Sequence, residues 1–225
     1  MDLTIGMISM DEEEAIKKVL PDIKNSLKDY KGKWEILMID SSKDNTPKIA
    51  EKLGARVIRQ FPPKGYGNAM KKLLKESSGK IIVTLDCDGT YPVENILKAV
   101  NYLEKGYDVV GANRIAKKSK NMPLQNYLAN KIFNLLSSIL FMKKIKEVHT
   151  GMRAYRKEMI NSIDFDPSYA ALPVDLILVP LKKGFKCYEF DIEYMPRLGE
   201  TTLTKFNGTT ATFKRIFKTR FGRDY

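Results

Sequence analysis

IIVTLDCDGTYP, residues 81–92, runs an apolar stretch broken by one threonine into two aspartates separated by a single cysteine, then a glycine turn closed by proline. Alternation along a strand would put Asp86 and Asp88 on one side and turn Cys87 the other way, into the core. Two like charges that close repel unless a cation sits between them. The plainer reading of an isolated Asp-x-Asp is a polar loop after a strand, so the flanking sequence has to decide.

Outward from this stretch the chain alternates. LTIGMIS (3–9), WEILMID (34–40), ARVIRQ (55–60), KIIVTLD (80–86) and YDVVGANR (107–114) read as strands, and 12–30, 46–54, 67–79 and 93–106 as the helices between them. The first helix opens on acidic residues, where the macrodipole favours them. The second has Pro47 near its start and Gly54 at its end, the expected asymmetry. This order predicts an α/β fold with a mostly parallel sheet covered by helices on both faces, and ligands beyond the carboxyl ends of the strands. Those ends carry Asp11, Glu12 and Glu13, then Asp40 to Asp44, then Asp86 and Asp88, then Asn113 and Arg114. Converging there, they would form a crevice with hard oxygen ligands for Mg²⁺ or Mn²⁺, completed by substrate phosphates, as a nucleotide diphosphate would supply. No GxxxxGK[ST] or GxGxxG occurs, which argues against P-loop and dinucleotide sites; the lone GxG of KGYGNAM reads as a turn before a helix.

With 225 residues, 43% of them hydrophobic, the chain can bury one sizeable core. The opening MDLTIGMISMDEEE lacks the basic start of a secretory signal, and no uncharged apolar run approaches the ~18 to 20 residues of a spanning helix. Cys87 and Cys187 read as buried thiols of a cytosolic protein. The net charge of +12 is segregated: Arg114 to Lys146 holds eight Lys or Arg and no acid, and Arg197 to Tyr225 seven basic and two acidic residues. Such a surface attracts nucleic acid, a phosphorylated substrate or an anionic membrane, or is simply a solvated basic face. A basic nucleic-acid-binding protein would be the non-enzyme alternative, but there is no groove-reading motif and no interleaving of aromatics as stacking platforms. Leu128, Ile132, Leu135, Leu136 and Ile139 form one helical stripe, opposite Asn130, Lys131, Asn134, Ser137 and Ser138, which predicts a helix with its stripe packed in the core. Phe213, Ile216, Phe217 and Phe221, flanked by Lys214, Arg215, Lys218 and Arg220, read as a helix lying in a membrane interface or docked on the domain.

The order SMDEEEAI, IDSSKDNTPKIA, KGYGNAM, DCDGTYP, GANR, MPLQNYLANKIFNLL, HTGMRAYRKEM, YMPRLGETTL resembles glycosyltransferase family 2, of the GT-A fold, from about Leu3 to Leu203. Within it the chain is most similar to the dolichol-phosphate mannose synthase-like polyprenyl-phosphate sugar transferases. The resemblance implies a GT-A domain over 1–205; the spacing of aromatic and basic residues beyond it predicts a basic amphipathic helix, suited to a membrane surface, over 206–225. It implies that Asp11, Glu12 and Asp40 hold the base and ribose of a nucleotide-sugar donor, and that Asp86 and Asp88 bind Mg²⁺ or Mn²⁺. Thr90 stands where the mannose synthases often carry glutamine as a third metal contact. Arg114 matches a basic residue near the diphosphate or acceptor phosphate, Arg153 lies in an acceptor-side motif, and Arg197 matches the arginine of a loop closing over the donor. Asp175 aligns with an acidic position and is the candidate base; His149 is either a direct participant or a satisfied core histidine. Ile8 and Met10 replace a proline and an aromatic, and Thr201-Thr202 a Ser-Lys pair. The implied activity is inverting transfer of a hexose from GDP-mannose or a UDP-sugar to a polyprenyl (dolichyl) phosphate. It would run at an anionic membrane surface, peripheral on the cytoplasmic face, with no nucleic acid partner; the alternative acceptor is a sugar hydroxyl.

Overall fold

The computed structural model describes residues 1–168, 171–199 and 207–222. The strands are β1 (Leu3–Ser9), β2 (Trp34–Asp40), β3 (Arg56–Arg59), β4 (Ile81–Thr84), β5 (Val109–Asn113), β6 (Arg153–Arg156) and β7 (Cys187–Asp191). They form one sheet in the order β3-β2-β1-β4-β6-β5-β7. All neighbours are parallel except β6, which runs antiparallel to both β4 and β5. The helices are α1 (Glu13–Ser26), α2 (Thr46–Lys52), α3 (Tyr66–Glu76), α4 (Asn95–Glu104), α5 (Leu124–Phe141), α6 (Lys157–Asn161), α7 (Leu172–Lys182) and α8 (Asn207–Phe221).

Two apolar layers follow from the two-residue period of the central strands. In β2, Ile36 and Met38 join Ile16 and Leu20 of α1 and Ile96 of α4 on one face. Leu37 and Ile39 join Leu73 of α3 and Leu178 of α7 on the other. Gly6 of β1 lets α3 approach, since a Cβ there would lie 2.5 Å from Leu73 Cδ2.

Strand β6 was not foreseen. Its first residue, Arg153, pairs with Gly111 near the end of β5, so the chain leaves β5, forms α5 and re-enters the sheet from the same edge. Re-entry there makes the strand antiparallel, whereas a parallel strand would require a crossover to the far edge. The consequence is functional: residues 147–151 lie at the edge where the acidic strand ends gather.

Candidate active site

The β1–β2 register ends with Ser9 opposite Asp40, and the Ser9 hydroxyl donates to Asp40 Oδ1 at 2.8 Å. Asp40 is fully buried and also accepts from the Ser42 N–H (3.0 Å), the Ser42 hydroxyl (2.6 Å) and Arg59. Asp11, at φ 57°, donates its N–H to Ser42 Oγ (2.8 Å) and accepts from the Lys43 N–H (2.7 Å). The loops after β1 and β2 are therefore tied into one unit. Glu12 follows, its N–H held by Thr46 Oγ1 at 2.9 Å. Burial pushes its carboxyl up to about 7; Asp88 and Asp86 add to the effect and Arg197 opposes it.

The two aspartates meet differently from the strand-alternation argument. β4 ends at Thr84, so Asp86 and Asp88 stand in the turn beyond it, and turn geometry sets their approach. Cys87 does face inward, its thiol donating to the Ile8 carbonyl at 3.3 Å. Asp88 Oδ1 accepts from the Thr90 N–H (3.0 Å) and hydroxyl (2.7 Å), an Asx-type turn that makes Thr90 the group orienting Asp88. Asp86 receives no hydrogen bond from any described residue. It rests against Gly151, where a Cβ would come within 2.5 Å of Asp86 Oδ2. Burial pushes the Asp86 carboxyl up to about 6, reinforced by Asp88 and opposed by Arg114 and Arg197.

A strap after β7 crosses this turn. The Met195 N–H donates to the Thr90 carbonyl (3.0 Å) and the Leu198 N–H to the Asp88 carbonyl (2.8 Å). Arg197 thereby reaches Asp88 Oδ2 at 2.5 Å and Glu12 Oε1 at 2.9 Å. Thr201 and Thr202 lie outside the described residues. From the other side, Arg114 donates Nε to Glu147 Oε1 (2.6 Å) and Nη2 to the His149 carbonyl (3.0 Å). Glu147 is fully buried and was missed in the sequence; its signal is that of an isolated acid directly after a basic run.

Two carboxylates, one of them without a donor, suit a hard divalent cation. No cluster of three or more His, Cys, Asp or Glu that could hold a metal occurs among the described residues. Mg²⁺ needs none, because it keeps several waters and takes one or two carboxylates plus phosphates.

The model for glycosyl transferase family 2 matches residues 4–164. The chain belongs to that family. A dolichyl-phosphate hexose transferase of Haloferax volcanii is 40% identical over 217 residues, spanning 96% of this chain and 93% of that protein. A dolichol-phosphate mannosyltransferase of Pyrococcus furiosus is 28% identical over 176 residues, 74% of this chain and 49% of that protein. Among solved structures, glucosyl-3-phosphoglycerate synthase of Mycobacterium tuberculosis, in complex with Mn²⁺, UDP and glucosyl-3-phosphoglycerate, superposes with a TM-score of 0.72 at 19% identity, covering 97% of this chain and 78% of that one. The fold is GT-A.

Three further residues of this family 2 chain stand deeper. Arg153, 1% exposed, donates to the carbonyls of Pro173 (2.5 Å) and Val148 (2.7 Å), bracing the 147–151 segment against α7. Asp175 of α7 is fully buried; it accepts from Arg215 Nη1 at 2.7 Å and from the Thr219 hydroxyl at 2.8 Å, latching α7 to α8. His149 Nε2 lies 2.9 Å from Thr212 Oγ1 of α8, and burial, with Arg114 and Arg153 adding, pushes its pKa down to about 3. It is neutral at physiological pH. The structure thus gathers Glu12, Asp86, Asp88, Arg114 and Arg197 around one turn, ties Asp11 and Asp40 into the adjoining loops, and sets Arg153, Asp175 and His149 into the packing beneath.

Proposed function

We propose that this glycosyltransferase moves a hexosyl group from a nucleotide diphosphate sugar to a polyprenyl (dolichyl) phosphate, with inversion at the anomeric carbon. The observation that carries the reading is Asp86. Its carboxylate stands half-buried beside Asp88, has no donor among the described residues, and feels two arginines, Arg114 and Arg197. Electrostatic cost left in place at a crevice is a mark of function. A divalent cation with a diphosphate would relieve it. Asp86 and Asp88 would hold Mg²⁺ or Mn²⁺, which when bound neutralises charge building on the departing nucleotide. Thr90 keeps Asp88 aimed. Arg197, whose partners include two carboxylates, offers the same guanidinium to diphosphate oxygens, and Arg114 carries positive charge to the opposite side. The tied loops of Asp11, Glu12 and Asp40 would bound the base and ribose pocket.

The Haloferax volcanii and Pyrococcus furiosus relatives, named for dolichyl phosphate chemistry, support a lipid phosphate as acceptor. The surroundings of Asp175 point the same way. A sugar hydroxyl needs a base as it attacks, typically worth ~10² to 10⁴ in rate, and a carboxylate paired with Arg215 and Thr219 is a poor one. A phosphate monoester has a second pKa of about 6 and is already largely dianionic at neutral pH. Such an acceptor lies in a bilayer, and no helix among the described residues is long and apolar enough to cross one. The enzyme would work as a peripheral protein on the cytoplasmic face.

The test is turnover of a short polyprenyl phosphate with GDP-mannose and a panel of UDP-hexoses, with Mn²⁺ or Mg²⁺, reading lipid-linked hexose by mass spectrometry. Transfer to sugar hydroxyls but not to the lipid phosphate overturns the acceptor, and turnover indifferent to chelator removes the metal. Asp175→Asn should cost less than about tenfold in turnover at saturating substrates, far below the value of a working base. A loss of roughly a thousandfold, with folding and donor binding intact, would instead identify that base and favour the hydroxyl acceptor.

A further inference from the structure

Residues 145–148, between α5 and β6, carry four successive backbone N–H groups that all end on side chains. The Ile145 N–H donates to Ser138 Oγ (3.0 Å), that of Lys146 to Glu189 Oε2 (2.7 Å), that of Glu147 to Glu189 Oε1 (2.7 Å) and that of Val148 to Asn134 Oδ1 (3.0 Å). Two carbonyls are held as well, that of Lys146 by Asn134 Nδ2 (2.5 Å) and that of Val148 by Arg153 Nη2 (2.7 Å). These bonds turn Asn134 and Ser138 of α5 toward the segment. They leave Leu128, Ile132, Leu135 and Ile139 between 50% and 65% exposed, against the expectation from the sequence. A surface loop can leave its backbone groups to water; one tied at every N–H is fixed in place.

Glu189 is the centre of this arrangement. The sheet register sets Arg153 of β6 and Glu189 of β7 on either side of Gly111 of β5, so their side chains rise from the same face. A Cβ on Gly111 would lie 3.5 Å from Glu189 Cγ and 3.9 Å from Arg153 Nε. The lane that a larger side chain would fill is taken by these two. Burial pushes the Glu189 carboxyl up, while the N–H groups of Lys146 and Glu147 and the Arg153 cation pull it back.

What the clamp presents is Glu147. Its fully buried carboxylate receives the Arg114 N–H at Oε2 (2.8 Å) and Arg114 Nε at Oε1 (2.6 Å), and the His149 carbonyl takes Arg114 Nη2 at 3.0 Å. The guanidinium carbon lies 5.4 Å from the centre of the Tyr194 ring. Nε and Nη2 are thus committed within the chain, which fixes the plane of the guanidinium.

We infer that Glu189 is a positioning residue for the transfer reaction: by clamping the N–H groups of Lys146 and Glu147 it fixes the Glu147 carboxylate and, through it, the orientation of the Arg114 guanidinium at the crevice. This rests on the role given to Arg114 in the proposed function. Glu189 acts through two backbone groups and a second acid. A planar, fork-shaped cation is sensitive to tilt, and a misplacement of about 1 Å can cost ~100-fold in rate.

The test compares the wild type with Glu189→Gln, which keeps the shape but sets an NH₂ against one of the two N–H groups. The first readout is exchange with water of the Arg114 Nε–H, followed by NMR in the substrate-free protein and assigned by its absence from Arg114→Lys. It should be at least ~5-fold faster in Glu189→Gln, the weight of one lost hydrogen bond. The second is turnover of a short polyprenyl phosphate with Mn²⁺, GDP-mannose and the UDP-hexoses. Glu189→Gln should lower it by ~10- to 100-fold in the wild-type background. In the Arg114→Lys background the further loss should stay under ~2-fold, because a lysine is a flexible point charge that the backbone at residue 147 does not orient. Unchanged Nε–H exchange overturns the inference. So do equal losses of turnover in both backgrounds, which a merely structural role of Glu189 would give. If Glu189→Gln fails to fold, Glu189→Asp, with its carboxylate drawn back by one methylene, takes the same two readouts. Absence of wild-type turnover counts against the functional reading alone, since the exchange measurement needs no substrate.

Discussion

The crevice at the ends of β1, β2 and β4 and the outer face of α5 break the usual inside-outside rule in opposite directions. In and beside the crevice, Asp40, Asp88 and Glu147 are buried, and each has partners inside the chain: Ser9, Ser42 and Arg59 for Asp40, Thr90 and Arg197 for Asp88, Arg114 for Glu147. On α5, large apolar side chains face water while Asn134 and Ser137 lie within. Buried charge demands local compensation, because an unpaired group costs several kcal/mol. Exposed apolar surface demands none for folding. A fully answered polar cluster thus indicates positioning, an unanswered carboxylate such as Asp86 a ligand, and an unanswered apolar face a partner.

The largest effect should come from the answered side of the crevice. Asp88→Asn removes charge from the ligand pair while keeping its shape, and turnover should fall at least ~100-fold with circular dichroism unchanged; retained activity would break the link between the aspartate pair and the reaction. Next, Asn134→Leu makes α5 more hydrophobic yet should destabilise by about 2 to 3 kcal/mol, because the Val148 N–H and Lys146 carbonyl lose their partner. Urea denaturation measures it, and a neutral or stabilising outcome would mean those bonds do not set the helix rotation.

Asp86→Asn should act in the other direction. Its folded pKa is raised above the ordinary 3.8 to about 6, so the folded protein binds the proton more tightly than the unfolded chain. The charged form is the penalised one: the penalty is absent below about pH 4 and grows as pH rises through about 6. In metal-free protein at neutral pH the substitution should therefore stabilise by about 1 to 3 kcal/mol, a gain that disappears below about pH 4. A pH-independent difference would place its origin elsewhere. The smallest effect belongs to the open face: Leu135→Gln should change stability by no more than about 0.5 kcal/mol, whereas a loss of several would show that the row is packed.

Much of the fold was legible. The alternating runs of β1, β2 and β4 and the acids at their ends pointed to a parallel sheet with a polar edge, and Asp86, Asp88, Arg114 and Arg197 do meet there. Strand β6 was not readable, because RAYR within HTGMRAYRKEM is too short for a period and its apolar partners lie on β4 and β5. Arg153 accordingly looked like an acceptor-side group, and in the structure it is an internal brace. Glu147 was overlooked since one acid beside many lysines reads as solvated surface.

Local sequence determined which segments become strands and helices, because backbone propensity and apolar period are properties of neighbouring residues, and it determined that carboxylates and arginines collect at one sheet edge. Only the tertiary structure decided which side of α5 faces water and that Arg215 belongs to Asp175. The period of α5 favoured burying Leu128, Ile132, Leu135, Leu136 and Ile139; Leu136 does pack against the core, but the other four lost to the hydrogen bonds that tie Asn134 and Ser138 to backbone groups of residues 145–148 beyond the end of the helix. An apolar stripe can face water at tolerable cost, whereas a buried N–H or carbonyl without a partner cannot be left so.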